Sequence, residues 1–441
     1  DVEAFEKLAS LHEVEATAVA EFTSTGIFHV QYDQSTVAYL PIEFLHDGVP
    51  QLELESEWKV PEHETFHPPK KADHNTILTD LLARPNIASK ETWVRQYDHE
   101  VIAQTAVKPF VGVQRDGPAD AGVIAPIHGN HRGLVVSCGI SPRYSDIDAG
   151  AMAAAAIDEA VRNAVCVGVD VDKIAGLDNF CWPDPIESEK TPDGKFKLAQ
   201  LVRANRELER ICRAYRLPCV SGKDSMKNDY GKGPDKISIP PTLLFSLFGD
   251  HPDVRNSATS DLKHPGDKLY LVGESLEELG ASELAFMMTE NGQSAGIGGD
   301  VPLLSDPDRL FSSYRALSKA INSGVVKTAH DCSEGGVGVA LAEMCIGGRI
   351  GAKIDIDGTG NTSIWARLWG ESLGRIIIAV SPQNNAKFLE MMAGHTTTLL
   401  GEVEATSRLS IVDGYDELVS IEVNDLVTSW QGTLDLTGGV V

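Results

Sequence analysis

The sequence predicts a layered α+β or α/β chain. From about residue 86 onward strand and helix signals alternate, which is the pattern of sheets covered by helices. The 441 residues suffice for two or three domains with separate cores, and 42% hydrophobic with 23% charged content is ordinary for a globular protein.

Taken in order, residues 21–45 (EFTSTGIFHVQYDQSTVAYLPIEFL) read as two alternating strands broken by Thr-Gly and Tyr-Asp-Gln turns. Residues 402–426 (EVEATSRLSIVDGYDELVSIEVNDL) repeat the pattern 381 positions later without a gap. Under that offset Phe28 matches Leu409, Val30 matches Ile411, Leu40 matches Ile421, Ile42 matches Val423 and Leu45 matches Leu426. We read this as a duplicated module whose first copy contributes only its tail, rather than as two generic hairpins. Residues 46–75 are polar and proline-containing and read as a linker, and Thr76–Leu82 begins a short helix. Strands are expected at Leu134–Cys138, Val169–Leu177, Thr242–Phe248, Lys268–Val272 and Ile376–Val380. Helices are expected at Asp148–Val167, Leu198–Tyr215, Pro307–Ser323 and Val337–Cys345, with a further helix after Gly280-Ala281-Ser282-Glu283. Cys219–Ser221 reads as a strand end entering a glycine loop, and a second domain is expected to begin near His264.

The net charge of −26 argues against nucleic acid or an anionic membrane as principal partner. An acidic protein still holds phosphate where amides, a lysine or a metal supply local positive charge. Seven cysteines without CxxC or zinc-like spacing fit reduced thiols, and no apolar run of membrane length is present. These features lead us to expect a cytoplasmic protein.

Candidate chemistry lies in hard oxygen ligands beside small residues. Glu159 and Asn163 are four apart on the Ala-rich helix, so they share a face and can hold one cation. A solvated pair on an amphipathic helix is the alternative. Asp120, after Gly117-Pro118-Ala119, is expected to expose its carboxylate at a strand start, or else to bond its own turn. In His330-Asp331-Cys332-Ser333-Glu334-Gly335-Gly336, Asp331 offers a ligand and Ser333 a phosphate contact. There Gly-Gly is expected to present free N–H groups at a helix start, with helix capping as the competing role. In Ser221-Gly222-Lys223-Asp224-Ser225, Gly222 permits close backbone approach, while Lys223 and Ser225 can meet phosphate oxygens. A structural turn accounts for that loop equally well, and its spacing is not that of a Walker A loop. Tyr97 is read as a core residue beside an N-capping Asp98 rather than as a ring stacked on a base, His128 and His131 as a turn between strands rather than a metal pair, and Cys332 with His330 as only superficially a thiol dyad, lacking a group to orient the histidine. If Asp120, Glu159 and Asp331 converge, a divalent ion is the simplest relief of their repulsion.

These motifs, in this order, resemble the second half of the phosphoribosylformylglycinamidine synthases, in the aminoimidazole ribonucleotide synthetase superfamily. The resemblance is carried by Arg95-Gln96-Tyr97-Asp98-His99-Glu100-Val101, Gly117-Pro118-Ala119-Asp120, the Glu159/Asn163 helix, Asp178-Asn179-Phe180, the Ser221–Ser225 loop and the His330–Gly336 stretch. It implies an α+β fold: the tail of a first C-type domain (1–58), a linker (59–86), an N-type domain pairing through a barrel-like sheet interface (87–262) and an α+β C-type domain (263–441). It implies ATP-dependent amidation of formylglycinamide ribonucleotide with glutamine-derived ammonia. Mg2+ would fall on Asp120, Glu159, Asn163 and Asp331, and ATP or ADP against Ala119 and Ser333. Asp178, Gly222, Lys223 and Ser225 would serve nucleotide or substrate phosphate. No catalytic residue is assigned, because the family's catalytic histidine belongs to a first half outside this sequence. The implied partners are that half and a glutaminase, since no glutaminase signature is visible; an isolated piece is expected to be inactive or to pair with itself. A module holding Mg-ADP without turnover, or a sister enzyme of the superfamily, are the alternatives.

Overall fold

In a computed structural model that describes residues 1–231 and 235–434, the chain divides into two compact units, Asp1–Glu55 and Ser56–Val441. The first unit holds helix α1 (Val2–Leu11), an antiparallel hairpin of β1 (Ile27–Tyr32) and β2 (Ser35–Pro41), and helix α2 (Ile42–Asp47).

The second unit opens with α3 (His74–Leu82) and α4 (Glu91–Val94). Residues 59–86, expected as a linker, are mostly exposed but include a helix whose apolar side packs. Asp73 caps α3 by accepting from Asn75 N–H, and Phe66, Ile77, Leu78, Leu81 and Leu82 are buried. Next come β3 (Thr105–Val107), the paired β4 (Phe110–Val111) and β5 (Gly117–Pro118), β6 (Gly122–Ile124), β7 (Gly133–Ile140) and helix α5 (Ala149–Val167). They are followed by β8 (Ile174–Cys181), α6 (Gly194–Ala214), β9 (Cys219–Ser225), the paired β10 (Asp229–Tyr230) and β11 (Ile237–Ser238), and β12 (Thr242–His251). Six of these strands form one mixed sheet in the order β3-β6-β7-β12-β8-β9. Along β7 residues alternate buried and exposed, so Val135, Ser137 and Gly139 face α5 while Leu134, Val136, Cys138 and Ile140 face outward.

Helix α5 is capped by Asp148, which accepts from Gly150 N–H, and ends at Gly168 in the left-handed region. Its alanines let it lie close on the sheet. A Cβ on Gly139 would sit 2.1 Å from the Ala156 carbonyl oxygen. Two expected boundaries move. The strand predicted at Val169–Leu177 runs over Ile174–Cys181, because Val169–Lys173 is a turn tied to β12 by Asp170 N–H to Asp250 O. The Ser221–Ser225 segment is not a loop but the body of β9, an edge strand parallel to β8.

The rest is built on a seven-stranded sheet, β14-β16-β13-β17-β15-β18-β19. Its elements in chain order are β13 (Lys268–Val272), α7 (Glu283–Glu290), α8 (Pro307–Asn322), β14 (Thr328–Asp331), α9 (Gly336–Gly348), β15 (Gly351–Asp355) and α10 (Ile364–Trp369). Then follow β16 (Ile376–Val380), α11 (Asn385–Met391), β17 (Thr397–Glu404), β18 (Arg408–Asp413), β19 (Asp416–Glu422) and α12 (Val423–Gly432). The architecture is thus mixed α+β with two large mixed sheets.

The repeat read from the sequence has a structural counterpart. Adding 381 to the bounds of β1 and β2 gives those of β18 and β19, and α2 and α12 begin at matching positions. Both hairpins shift register at the same place, between Val30 and Gln31 and between Ile411 and Val412. Burial differs. Leu409, Ile411 and Leu426 are inaccessible, whereas Phe28 and Leu45 are 48% and 44% exposed.

Candidate functional site

Asp120 lies in the short connection between β5 and β6, and its side chain is sealed from solvent rather than exposed as expected. Its Oδ1 accepts from the Asp331 backbone N–H and meets His330 Nδ1, each at 2.9 Å. Its buried Oδ2 has no hydrogen-bond partner among the described residues. His330 Nε2 meets Glu343 Oε2 at 3.0 Å, so carboxylates flank both ring nitrogens. Both contacts are satisfied at once only by the imidazolium, which donates twice. Burial opposes that charge, but Asp120 and Glu343 outweigh it and push the His330 pKa well above the usual histidine range. The sequence left His330 without an orienting group; the fold supplies two.

Asp331 ends β14, and Asp120, His330 and Asp331 offer ligand atoms all within 4.8 Å of one another. Arg162 on α5 fixes Asp331: its Nη2 reaches Asp331 Oδ2 at 3.3 Å and Ser333 Oγ at 3.2 Å, while Nη1 pairs with Asp158. Asp158 is buried and also accepts from the Tyr215 and Tyr314 hydroxyls, both at 2.7 Å, and from Gly374 N–H. A buried cation held at both Nη atoms is a rigid support, although its Nε has no hydrogen-bond partner among the described residues.

Glu159 and Asn163 project from the same helix past the rim of β7. Glu159 Oε2 accepts from Ile140 N–H at 2.9 Å, and Asn163 Nδ2 donates to Cys138 O at 3.1 Å. They are not a solvated surface pair. Burial, then the nearby Glu334 and Asp331, push the Glu159 pKa well above the usual carboxylate range. Desolvation likewise raises Asp331.

All six residues expected at the metal and nucleotide, Ala119, Asp120, Glu159, Asn163, Asp331 and Ser333, line one open cleft of about 540 Å³. Lys90, Phe110, Glu334, Glu343 and Trp430 line it too. The converging carboxylates and the unpartnered Asp120 Oδ2 fit a hard divalent cation bound through oxygen. His330 is no free ligand there; it orients Asp120 from behind, as outer groups do around metal ligands. Lys90, which sequence reasoning missed, donates to the Asn86 and Ala88 carbonyls and brings a positive charge to the rim. Its burial lowers its pKa, against the pull of Glu343 and Glu334. Arg162 was missed as well, although an arginine four residues after Asp158 in an Ala-rich, largely buried helix was a legible signal.

Two further expectations are overturned. The Gly335-Gly336 amides are not free for an anion: Gly335 N–H donates to Glu371 Oε1 at 2.9 Å and Gly336 N–H to Ser333 O at 3.0 Å. Both glycines have positive φ, and a Cβ on Gly336 would lie 2.3 Å from the Gly370 carbonyl oxygen, so packing and backbone geometry require glycine here. Tyr97 is 75% exposed and not a core residue. His128 and His131 do lie in the connection between β6 and β7, and Cys332 is buried with its thiol pushed up to about 11, principally by burial.

The remaining candidates lie elsewhere, on the β8–β9 edge. Asp178 is paired across the parallel ladder with Gly222, and a Cβ on Gly222 would come within 2.8 Å of Asp178 Oδ1. Lys223 and Ser225 share that edge, 2.9 Å apart at Nζ and Oγ. None of these four is among the residues lining the metal-type cleft. Burial raises the Asp178 pKa.

Residues 118–239 match the model of the AIR synthase related protein N-terminal domain, and residues 264–414 that of the C-terminal domain. The phosphoribosylformylglycinamidine synthase subunit PurL of Deinococcus radiodurans is 30% identical over 98% of this chain, and that of Thermoplasma acidophilum 29% identical over 99%. The chain spans about half the length of these relatives, 56% and 54%. Among solved structures, Thermotoga maritima PurL complexed with ADP superposes with a TM-score of 0.55 at 16% identity, covering 81% of this chain and 52% of that one. The same protein complexed with FGAR gives 0.54 at 16% identity, covering 79% and 53%. The fold is therefore shared with those structures, and the chain belongs to the AIR synthase related family, carrying its N-terminal domain followed by its C-terminal domain.

Proposed function

We propose that this chain is the Mg-nucleotide-binding second half of an ATP-dependent C–N ligase, a phosphoribosylformylglycinamidine synthase of purine biosynthesis. The reaction amidates formylglycinamide ribonucleotide with glutamine-derived ammonia. One observation carries the reading: Asp120, whose buried Oδ2 has no hydrogen-bond partner among the described residues, lines the same cleft as Glu159, Asn163 and Asp331. Asp120, Glu159, Asn163 and Asp331 would hold Mg2+, which would neutralise their charge and supply a positive centre for phosphate, with Ser333 and Ala119 against the nucleotide and Lys90 adding a cation at the cleft rim. Asp178, Gly222, Lys223 and Ser225 form a separate phosphate- or substrate-binding edge.

The reading takes residues 1–58 as the tail of a first C-type domain, 59–86 as a connection, 87–262 as the N-type and 263–441 as the C-type domain. The outer face of the six-stranded sheet, with Leu134, Val136 and Ile140 each about two-fifths exposed, is the surface expected to close a barrel-like interface with a first half of the same architecture. A glutaminase supplies ammonia, and the chain works in the cytoplasm. Alone it is inactive as a ligase, or it self-pairs through the same face.

A second reading, in which the cleft holds Mg-ADP without turnover, is favoured by His330. With carboxylates at both ring nitrogens it is unavailable for proton transfer to a substrate. Equilibrium dialysis with ATP and ADP, with and without Mg2+, tests binding; absence of Mg2+-dependent affinity would overturn both readings. Added formylglycinamide ribonucleotide and ammonia then separate them, since only a ligase site consumes ATP.

A further inference from the structure

We propose that Cys212 and Cys219 form a redox-sensitive dithiol, closing to a disulfide on exposure to a hydroperoxide. Cys212 lies in the last turn of α6 and Cys219 opens β9, with their sulfurs 3.9 Å apart. The connection between them is tightly held. Leu217 N–H donates to Cys212 O at 2.8 Å, Gly176 N–H donates to Pro218 O at 2.9 Å, and the Tyr215 and Leu217 side chains are buried. This pins both backbones, so bond formation asks only that the sulfurs move about 2 Å closer, to the ~2.05 Å of a disulfide.

The two thiols are inequivalent. Cys219 is exposed and Cys212 buried. The hydrogen bond from the Cys212 thiol lowers the Cys219 pKa, while that same bond and then burial raise Cys212. Cys219 is therefore the residue that meets oxidant. Its thiolate attacks one peroxide oxygen, the O–O bond breaks, and water or alcohol leaves after protonation, giving a sulfenic acid. The Cys212 sulfur then attacks the Cys219 sulfur; its proton and the departing hydroxyl leave as water. In sum, two thiols lose two electrons and two protons, and the hydroperoxide is reduced. The new bond ties the end of α6 to β9 two residues before Ser221, on the strand whose Gly222 packs against Asp178. Oxidation thereby bears on the edge that carries Asp178, Lys223 and Ser225.

The test treats the reduced full chain with hydrogen peroxide, alkylates it with N-ethylmaleimide and maps its peptides by mass. The expected result is a Cys212–Cys219 linked peptide, with the other five of the seven cysteines alkylated, reversed by a phosphine reductant. In Cys212→Ser, Cys219 should stop at a sulfenic acid trapped by dimedone, whereas Cys138→Ser should leave the link intact. The proposal is overturned if wild-type Cys219 goes to sulfinic acid with Cys212 still alkylated, if either residue links to another cysteine, or if both survive excess peroxide as free thiols.

Discussion

The chemistry of the cleft rests on a few side chains whose charges are held by others. Asp120 is kept in place by His330, His330 by Glu343, and Asp331 by Arg162, which is itself locked by Asp158. Removing a support should therefore weaken the site without touching nucleotide. His330→Gln is expected to lower Mg2+-dependent nucleotide affinity roughly 10–100-fold, read by calorimetry. Glu159→Ala should abolish most of the Mg2+ dependence; unchanged affinity would show that Glu159 is not a ligand. Glu371 offers a test by pH. Burial pushes it up to about 7 from 4.5, although Tyr144 O–H and the Gly335 and Glu283 amides donate to it. Between those values the native protein holds a proton that the unfolded chain has released. Stability must therefore fall as pH rises through the window and level off above it, by an amount on the order of 3 kcal/mol. Glu371→Gln, neutral throughout, should flatten that slope in urea titrations at both edges of the window; superimposable profiles would rule the assignment out.

At the scale of elements, the site depends on how close α5 lies to β7. Gly139 is what allows it, since a Cβ there meets backbone atoms of both Ala156 and Ala160, at 2.1 and 2.7 Å, and the Glu159 Cβ at 2.9 Å. Gly139→Ala should cost about 1–3 kcal/mol in thermal or urea unfolding and reduce nucleotide affinity as well, because the helix that carries Glu159 and Asn163 must move off the strand. A variant destabilised but with intact affinity would uncouple packing from the site. Most of these elements were legible. The strands Lys268–Val272 and Ile376–Val380 and the helix starting at Pro307 lie where the sequence reading put them. Ser221–Ser225 was misread because Ser-Gly-Lys-Asp-Ser has turn composition. An exposed edge strand tolerates it, since one ladder with β8 supplies the backbone bonds and no face needs apolar residues.

For the whole molecule, the repeat separated by 381 residues makes an internal control. Leu409 and Phe28 occupy equivalent places in equivalent hairpins, yet Leu409 is inaccessible and Phe28 is 48% exposed. Leu409→Ala should cost ~2–5 kcal/mol of stability, while Phe28→Ala should stay within about 0.5 kcal/mol. Urea unfolding of the two variants decides it; equal losses would mean that burial does not distinguish the copies.

Sequence by itself determined the α+β layering, the repeat and six of the residues that line the cleft, because periodicity, turn chemistry and carboxylates beside small residues are local properties of the chain. The partners of those residues were decided by tertiary structure alone. His330 gains two carboxylates from positions 210 and 13 residues away, the Gly335-Gly336 amides are claimed by Glu371 and Ser333, and Asp178 meets Gly222 only across a parallel ladder. Charge state and hydrogen-bond occupancy depend on what is brought near and how far water is excluded, and both arise when distant segments pack.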